Sequence, residues 1–154
     1  DHAKVLDNAK VFGNAVVSVA AEVTGAASVS DNASVYGYAL VTGTASVCDN
    51  ARVFGNASVS DNSSVSGNAM VSGNARIYGN ASVYDTAWVY GHSTVYDNAK
   101  VFGNAVVYGN AWIYDNAKVC GDAQVYDNAR VYDNAVVFDN AKVFGTAQVY
   151  DPAE

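Results

Sequence analysis

The residues of this chain that could do chemistry recur at multiples of six, and many of them at multiples of eighteen. Asp97, Asp115, Asp133 and Asp151 are eighteen residues apart. If the chain stacks them, their carboxylates form a candidate cation site, suited above all to Ca²⁺. Tyr78, Tyr96, Tyr114, Tyr132 and Tyr150 share that spacing, as do Tyr90, Tyr108, Tyr126 and Phe144. Trp88 and Trp112 stand beside these series, next to Tyr90 and Tyr114. Exposed aromatic residues in such stripes mark a candidate interaction surface. Groups able to act as base or nucleophile are few: His2, His92, Cys48 and Cys120. No Ser or Cys stands in a nucleophile–base arrangement, so no catalytic, cofactor-binding or further metal residue is assigned.

What must position these residues is a six-residue unit, A-x-V-x-[GD]-N, as in Ala9-Lys10-Val11-Phe12-Gly13-Asn14. Alanine or serine falls at every sixth position from Ala3 to Ala153, and valine or isoleucine two residues later. Only Ser63 and Ser93 replace the alanine, and only Ile77 and Ile113 the valine. The Ala and Val positions alternate with outward ones, which is strand periodicity. Strands of about four residues are expected, for instance Ala9 to Phe12. The Gly/Asp-Asn pair that follows is turn chemistry, tolerant of positive φ. Strands this short cannot bury Ala and Val in a flat sheet. They can if the chain winds as a triangular coil, three hexads to the turn, with the small residues inside.

The hexads, with an aliphatic residue followed by a small one four places later (Val11, then Ala15), resemble the hexapeptide-repeat left-handed β-helix. The resemblance covers the whole chain. It is nearest to the NAxVxG-type repeats of bacterial proteins, some of them transferase-like solenoids. It implies an all-β, single-stranded left-handed parallel β-helix with 18 residues per coil. Residues 1–154 would form one solenoid of about 8.5 coils without loop insertions, a segment of a longer repeat region or fibre. At roughly 4.8 Å per coil the rod is about 40 Å long. The left hand comes from the resemblance alone, since parallel crossovers are ordinarily right-handed. For acyltransferases of that class the resemblance implies a trimer, a histidine near a subunit boundary, and loops that leave the coil. Here no loop interrupts the hexads, and His92 stands where the corner asparagine is expected.

Wrapped at eighteen, the sequence becomes a set of columns. The outward position after Val is mostly small up to Ser72 and aromatic from Tyr78 onward, broken only by Cys120. Tyr84, Phe102, Cys120 and Phe138 make a third series. Corner asparagines such as Asn62, Asn80, Asn98, Asn116 and Asn134 should stack as an amide ladder. Cys48 and Cys120 share a column four coils apart, about 19 Å, too far for a disulfide within one rod.

A net charge of −7 disfavours a nucleic-acid backbone as partner. No apolar run approaches the length of a membrane helix. The leading functional reading is a self-assembling structural β-solenoid, whose partner is a second copy of itself and whose aromatic stripes make lateral contacts. The alternatives are an acyltransferase-like enzyme or a module that binds polysaccharide or ice, and cations are a further candidate partner. Low Lys with abundant Asn, Ser, Gly and Tyr favours an extracellular or cell-surface fibre.

Overall fold

The computed structural model describes residues 2–151; Ala153, last of the alanine series, lies outside them. Among these described residues, twenty-five strands wind through three parallel sheets of nine, eight and eight strands. The series begins with β1 (Lys4–Val5), β2 (Lys10–Val11) and β3 (Val16–Val17), one on each face. Every strand but the last three pairs with the strand three places on, so that Val5 faces Val23 and Val59 faces Ile77. One coil is therefore eighteen residues, and no helix occurs among the described residues.

The regular strands are shorter than the four residues expected. All are two residues long except β22 (Arg130–Asp133) and β25 (Gln148–Asp151). The reason lies at the corners. The first residue of each Gly/Asp-Asn pair takes positive φ, near 59° at Asp7 and 69° at Gly13, whereas no asparagine does. The following alanine N–H donates back across the pair, as from Ala9 to the Leu6 carbonyl at 3.2 Å. Positive φ at only the first central residue is the pattern of a type II′ turn. A turn every six residues takes the chain off the pleat, but the ladder continues through it. Lys10, Phe12 and Asn14 donate their N–H groups to Ala27, Val29 and Asp31 of the next coil at 2.9, 3.1 and 2.6 Å.

Inside, alanine and valine from Ala21 to Val131 form one continuous buried column. The two serines in the alanine series are equally buried and are satisfied locally. Ser63 Oγ donates to the Ser60 carbonyl at 2.5 Å, and Ser93 Oγ to that of Tyr90 at 2.8 Å. No buried side-chain polar atom lacks a partner among the described residues. This matters because an unpaired hydroxyl in so narrow a core would cost about 1–3 kcal/mol.

Close approach at the corners explains the choice of residue there. A Cβ on Gly43 would sit 2.8 Å from the Asp61 backbone nitrogen and 3.0 Å from its carbonyl oxygen. At most corners where aspartate replaces glycine, its carboxylate caps the next coil. Asp61 Oδ2 accepts the Gly79 N–H at 3.0 Å, and Asp49 Oδ2 that of Gly67 at 2.9 Å. Val19 breaks this rule, holding φ at 65° with a β-branched side chain and no acceptor. The left-handed conformation costs an ordinary L-residue about 1–2 kcal/mol. Val19→Gly should therefore stabilise the rod by about 1 kcal/mol, and Gly43→Ala should destabilise it by at least as much. Thermal or denaturant melts of the two variants check both signs.

Candidate interaction surface

Each outward side chain lies one coil spacing from its equivalents, so a residue type repeated at eighteen becomes a physical stack. Tyr78, Tyr96, Tyr114, Tyr132 and Tyr150 are stacked ring on ring, with centroids 5.0, 5.0, 5.1 and 5.2 Å apart. Tyr90, Tyr108, Tyr126 and Phe144 form a second stack at 5.2, 4.8 and 5.4 Å. Tyr84 lies on Phe102 at 4.9 Å, and Cys120 then separates that pair from Phe138. These separations suit offset stacking, which favours aromatic pairs beyond their area burial. Inner rings such as Tyr96 and Tyr114 are half-buried by their neighbours, while Phe138, Phe144 and Tyr150 are exposed.

Both tryptophans lean toward the preceding coil. Trp88 packs on Tyr90 at 4.6 Å and donates its indole N–H to Ser72 Oγ at 3.4 Å. The Trp112 ring meets Tyr96 edge-on at 6.1 Å, and the Arg130 guanidinium lies over it at 5.5 Å. One pair was passed over in the sequence. Tyr36 stacks on Phe54 at 5.0 Å in the column that later carries Tyr90. The signal was the same spacing of eighteen, hidden among small residues.

The corner columns are hydrogen-bonded ladders. Asn62, Asn80, Asn98 and Asn116 each donate a side-chain amide N–H to the next asparagine oxygen at 3.2–3.4 Å, ending on Asn134. Asp97, Asp115, Asp133 and Asp151 run along the same edge, where Asp115 Oδ2 accepts the Asp133 N–H at 3.3 Å. Three ligand-type groups converge elsewhere: Cys48 Sγ with the carboxylates of Asp31 and Asp49, all within 4.8 Å of one another. These oxygens already serve the corners, since Asp31 accepts from Ser30 Oγ and the Asp49 N–H, and Asp49 from the Gly67 N–H. Burial, then the Asp49 and Asp31 carboxylates, push the Cys48 thiol up and hold it protonated. Cys48 and Cys120 are both free thiols. His92 sits exposed at its corner, and its ring makes no hydrogen bond among the described residues.

Against this geometry, four segments of the chain match the model of the YdcK beta solenoid repeat: residues 45–61, 75–91, 99–115 and 123–138. Each begins on a core alanine and covers about one coil. The chain is a β-solenoid repeat protein, and in these segments it is similar to the YdcK-type repeat. No curated protein matches it. The matched YdcK-type coils include much of the aromatic half, with Tyr78, Tyr84, Tyr90, Tyr108, Tyr114 and Tyr126 inside them.

Stacking leaves an electrostatic signature on the central ladder. Tyr96 is pushed up to about 12, by burial first, then by Tyr78 and Tyr114 and by the carboxylates of Asp97 and Asp115. Burial likewise raises Tyr78, Tyr84, Tyr108 and Tyr114. An unfolded tyrosine ionises near the ordinary value of about 10. The folded state thus retains the proton longer, and stability present below about pH 10 is lost as the pH rises toward 12. Thermal melts across this range should show a falling midpoint. Tyr96→Phe, which keeps the ring and removes the hydroxyl, should make that fall shallower.

Proposed function

We infer that this chain is a structural β-solenoid that assembles by stacking coil on coil and associates sideways through its aromatic ladders. The observation that carries this reading is the unbroken register of eighteen from β1 through β25. Every coil presents the same row of carbonyl oxygens on one edge and the same N–H row on the other. A coil edge that meets solvent is an unpaired strand edge on all three faces, and such edges template pairing. Stacking of this kind is head-to-tail and heterologous, so it extends without closing.

The outward columns support the lateral part. Two of the tyrosine-rich stacks, on different faces, each carry one indole beside them, Trp112 at Tyr96 and Trp88 at Tyr90, and both indoles remain well exposed. Tyrosine rings give large rigid contact area while the hydroxyls stay wet. The net charge of −7, carried largely on the corners, would keep rods apart until the stripes meet.

Electron microscopy and sedimentation velocity of the purified protein test both parts. The expected result is rods whose length grows with protein concentration and which pair sideways. Replacing Tyr96 and Tyr114 by serine should abolish the pairing and leave the rods. Monodisperse particles of one chain length at every concentration would overturn the assembly reading.

A further inference from the structure

Two open grooves lie end to end along the face that begins at β1. One, of about 370 Å³, is lined by Asn74, Arg76, His92, Thr94, Asn110 and Trp112. The other, of about 550 Å³, runs past Tyr38, Leu40, Asn56, Ser58 and Tyr78 and shares Arg76 with the first. Both have the size of ligand clefts. Their origin is a column of unequal side chains. Leu40, Ser58, Arg76, Thr94 and Trp112 are direct register partners, and the small Ser58 and Thr94 leave gaps on either side of Arg76. From Leu40 to Trp112 is four coil steps, a track of about 19 Å.

The edge beside this track differs from the other two. Gly37, Gly55, Gly73, Gly91 and Gly109 follow one another there in successive coils, so no carboxylate stands on it over that length. Asp61 and Asp97 lie across the face beside Tyr78, and Glu22, the register partner of Leu40, closes the track at its other end. Arg76 makes no ion pair among the described residues. The amide ladder is also interrupted at this point. Asn56 donates to Asn74 at 3.2 Å and Asn110 to Asn128 at 3.3 Å, but His92 separates the two pairs. The Asn74 amide N–H groups and the Asn110 carbonyl oxygen are therefore left without a side-chain partner on either side of the His92 ring.

We propose that this track binds an acidic polysaccharide, with a uronate unit seated between Arg76 and Trp112. The carboxylate takes the Arg76 guanidinium, whose planar fork matches it in two parallel hydrogen bonds. The apolar face of the sugar ring lies against the Trp112 indole. Its hydroxyls meet the free donors of Asn74, the free acceptor of Asn110 and the His92 ring, groups that can donate to and accept from hydroxyls. Tyr38, strongly exposed at 73%, offers a second ring beside Leu40, where the track ends. This reading does not depend on rod assembly.

The test uses the whole chain carrying Trp88→Phe, so that Trp112 is the sole indole reporter. Trigalacturonate, a neutral trisaccharide of the same linkage, and inorganic sulfate are titrated separately while Trp112 fluorescence is followed. The expected result is a saturable change with trigalacturonate at least tenfold tighter than with the neutral sugar. Arg76→Gln should weaken it at least tenfold, and Thr94→Trp, which fills the gap, should abolish it, with circular dichroism confirming the fold of each variant. No response to trigalacturonate, equal binding of the neutral sugar, the same response to sulfate alone, or undiminished binding by a folded Arg76→Gln variant would each overturn the proposal.

Discussion

The rod depends on one constraint, the close approach of successive coils at their corners. There the backbone turns with positive φ, and the next coil passes within about 3 Å of where a side chain would begin. Only glycine fits without cost, and only aspartate among the substituents returns something, by accepting an N–H from the coil above. With the corners this tight, the ladder hydrogen bonds remain continuous through the turn and not merely along the strands. The strands can then be two residues long, because the turns share the pairing.

The same constraint accounts for the narrow core. Three faces meeting at tight corners leave room for alanine and valine and little else, so the inward columns hardly vary. A serine enters only where a carbonyl three residues back can take its hydroxyl, as at Ser63 and Ser93. Stability is then a sum over neighbours, as in other repeat proteins. The aromatic stacks add to that sum from outside, and their raised proton affinity is the electrostatic trace of rings crowded at one coil spacing.

Variation is pushed to the outward columns, and there two kinds of surface arise from one rule. Where a large residue repeats, the column closes into a ladder, as with Tyr78 to Tyr150. Where large and small residues alternate, as in Arg76, Thr94 and Trp112, the column opens into a groove. The β-solenoid repeat supplies the frame common to both. What a given rod associates with is decided by the order of side chains along each column.

Much of this was legible in the sequence. The hexad dictated the parallel coil of eighteen, the buried Ala and Val columns, and which aromatics and asparagines would stack, because a fixed period leaves each residue one set of neighbours. Strand length was not legible, because Ala9 to Phe12 reads as four extended residues until the turn geometry at Asp7 and Gly13 is known. Nor was the role of the corner carboxylates. Asp115 and Asp133 read as members of a candidate cation site, and only the close approach of the coils showed one as a cap for the other. The convergence of Arg76, His92 and Trp112 likewise required the folded rod, since period alone says which residues share a column but not how far a long side chain leans across it. The sequence by itself determined the path of the backbone, through steric demands that repeat every six residues. Only the tertiary structure decided the surface, because the lean of an indole and the gap over a threonine depend on side chains a full coil away.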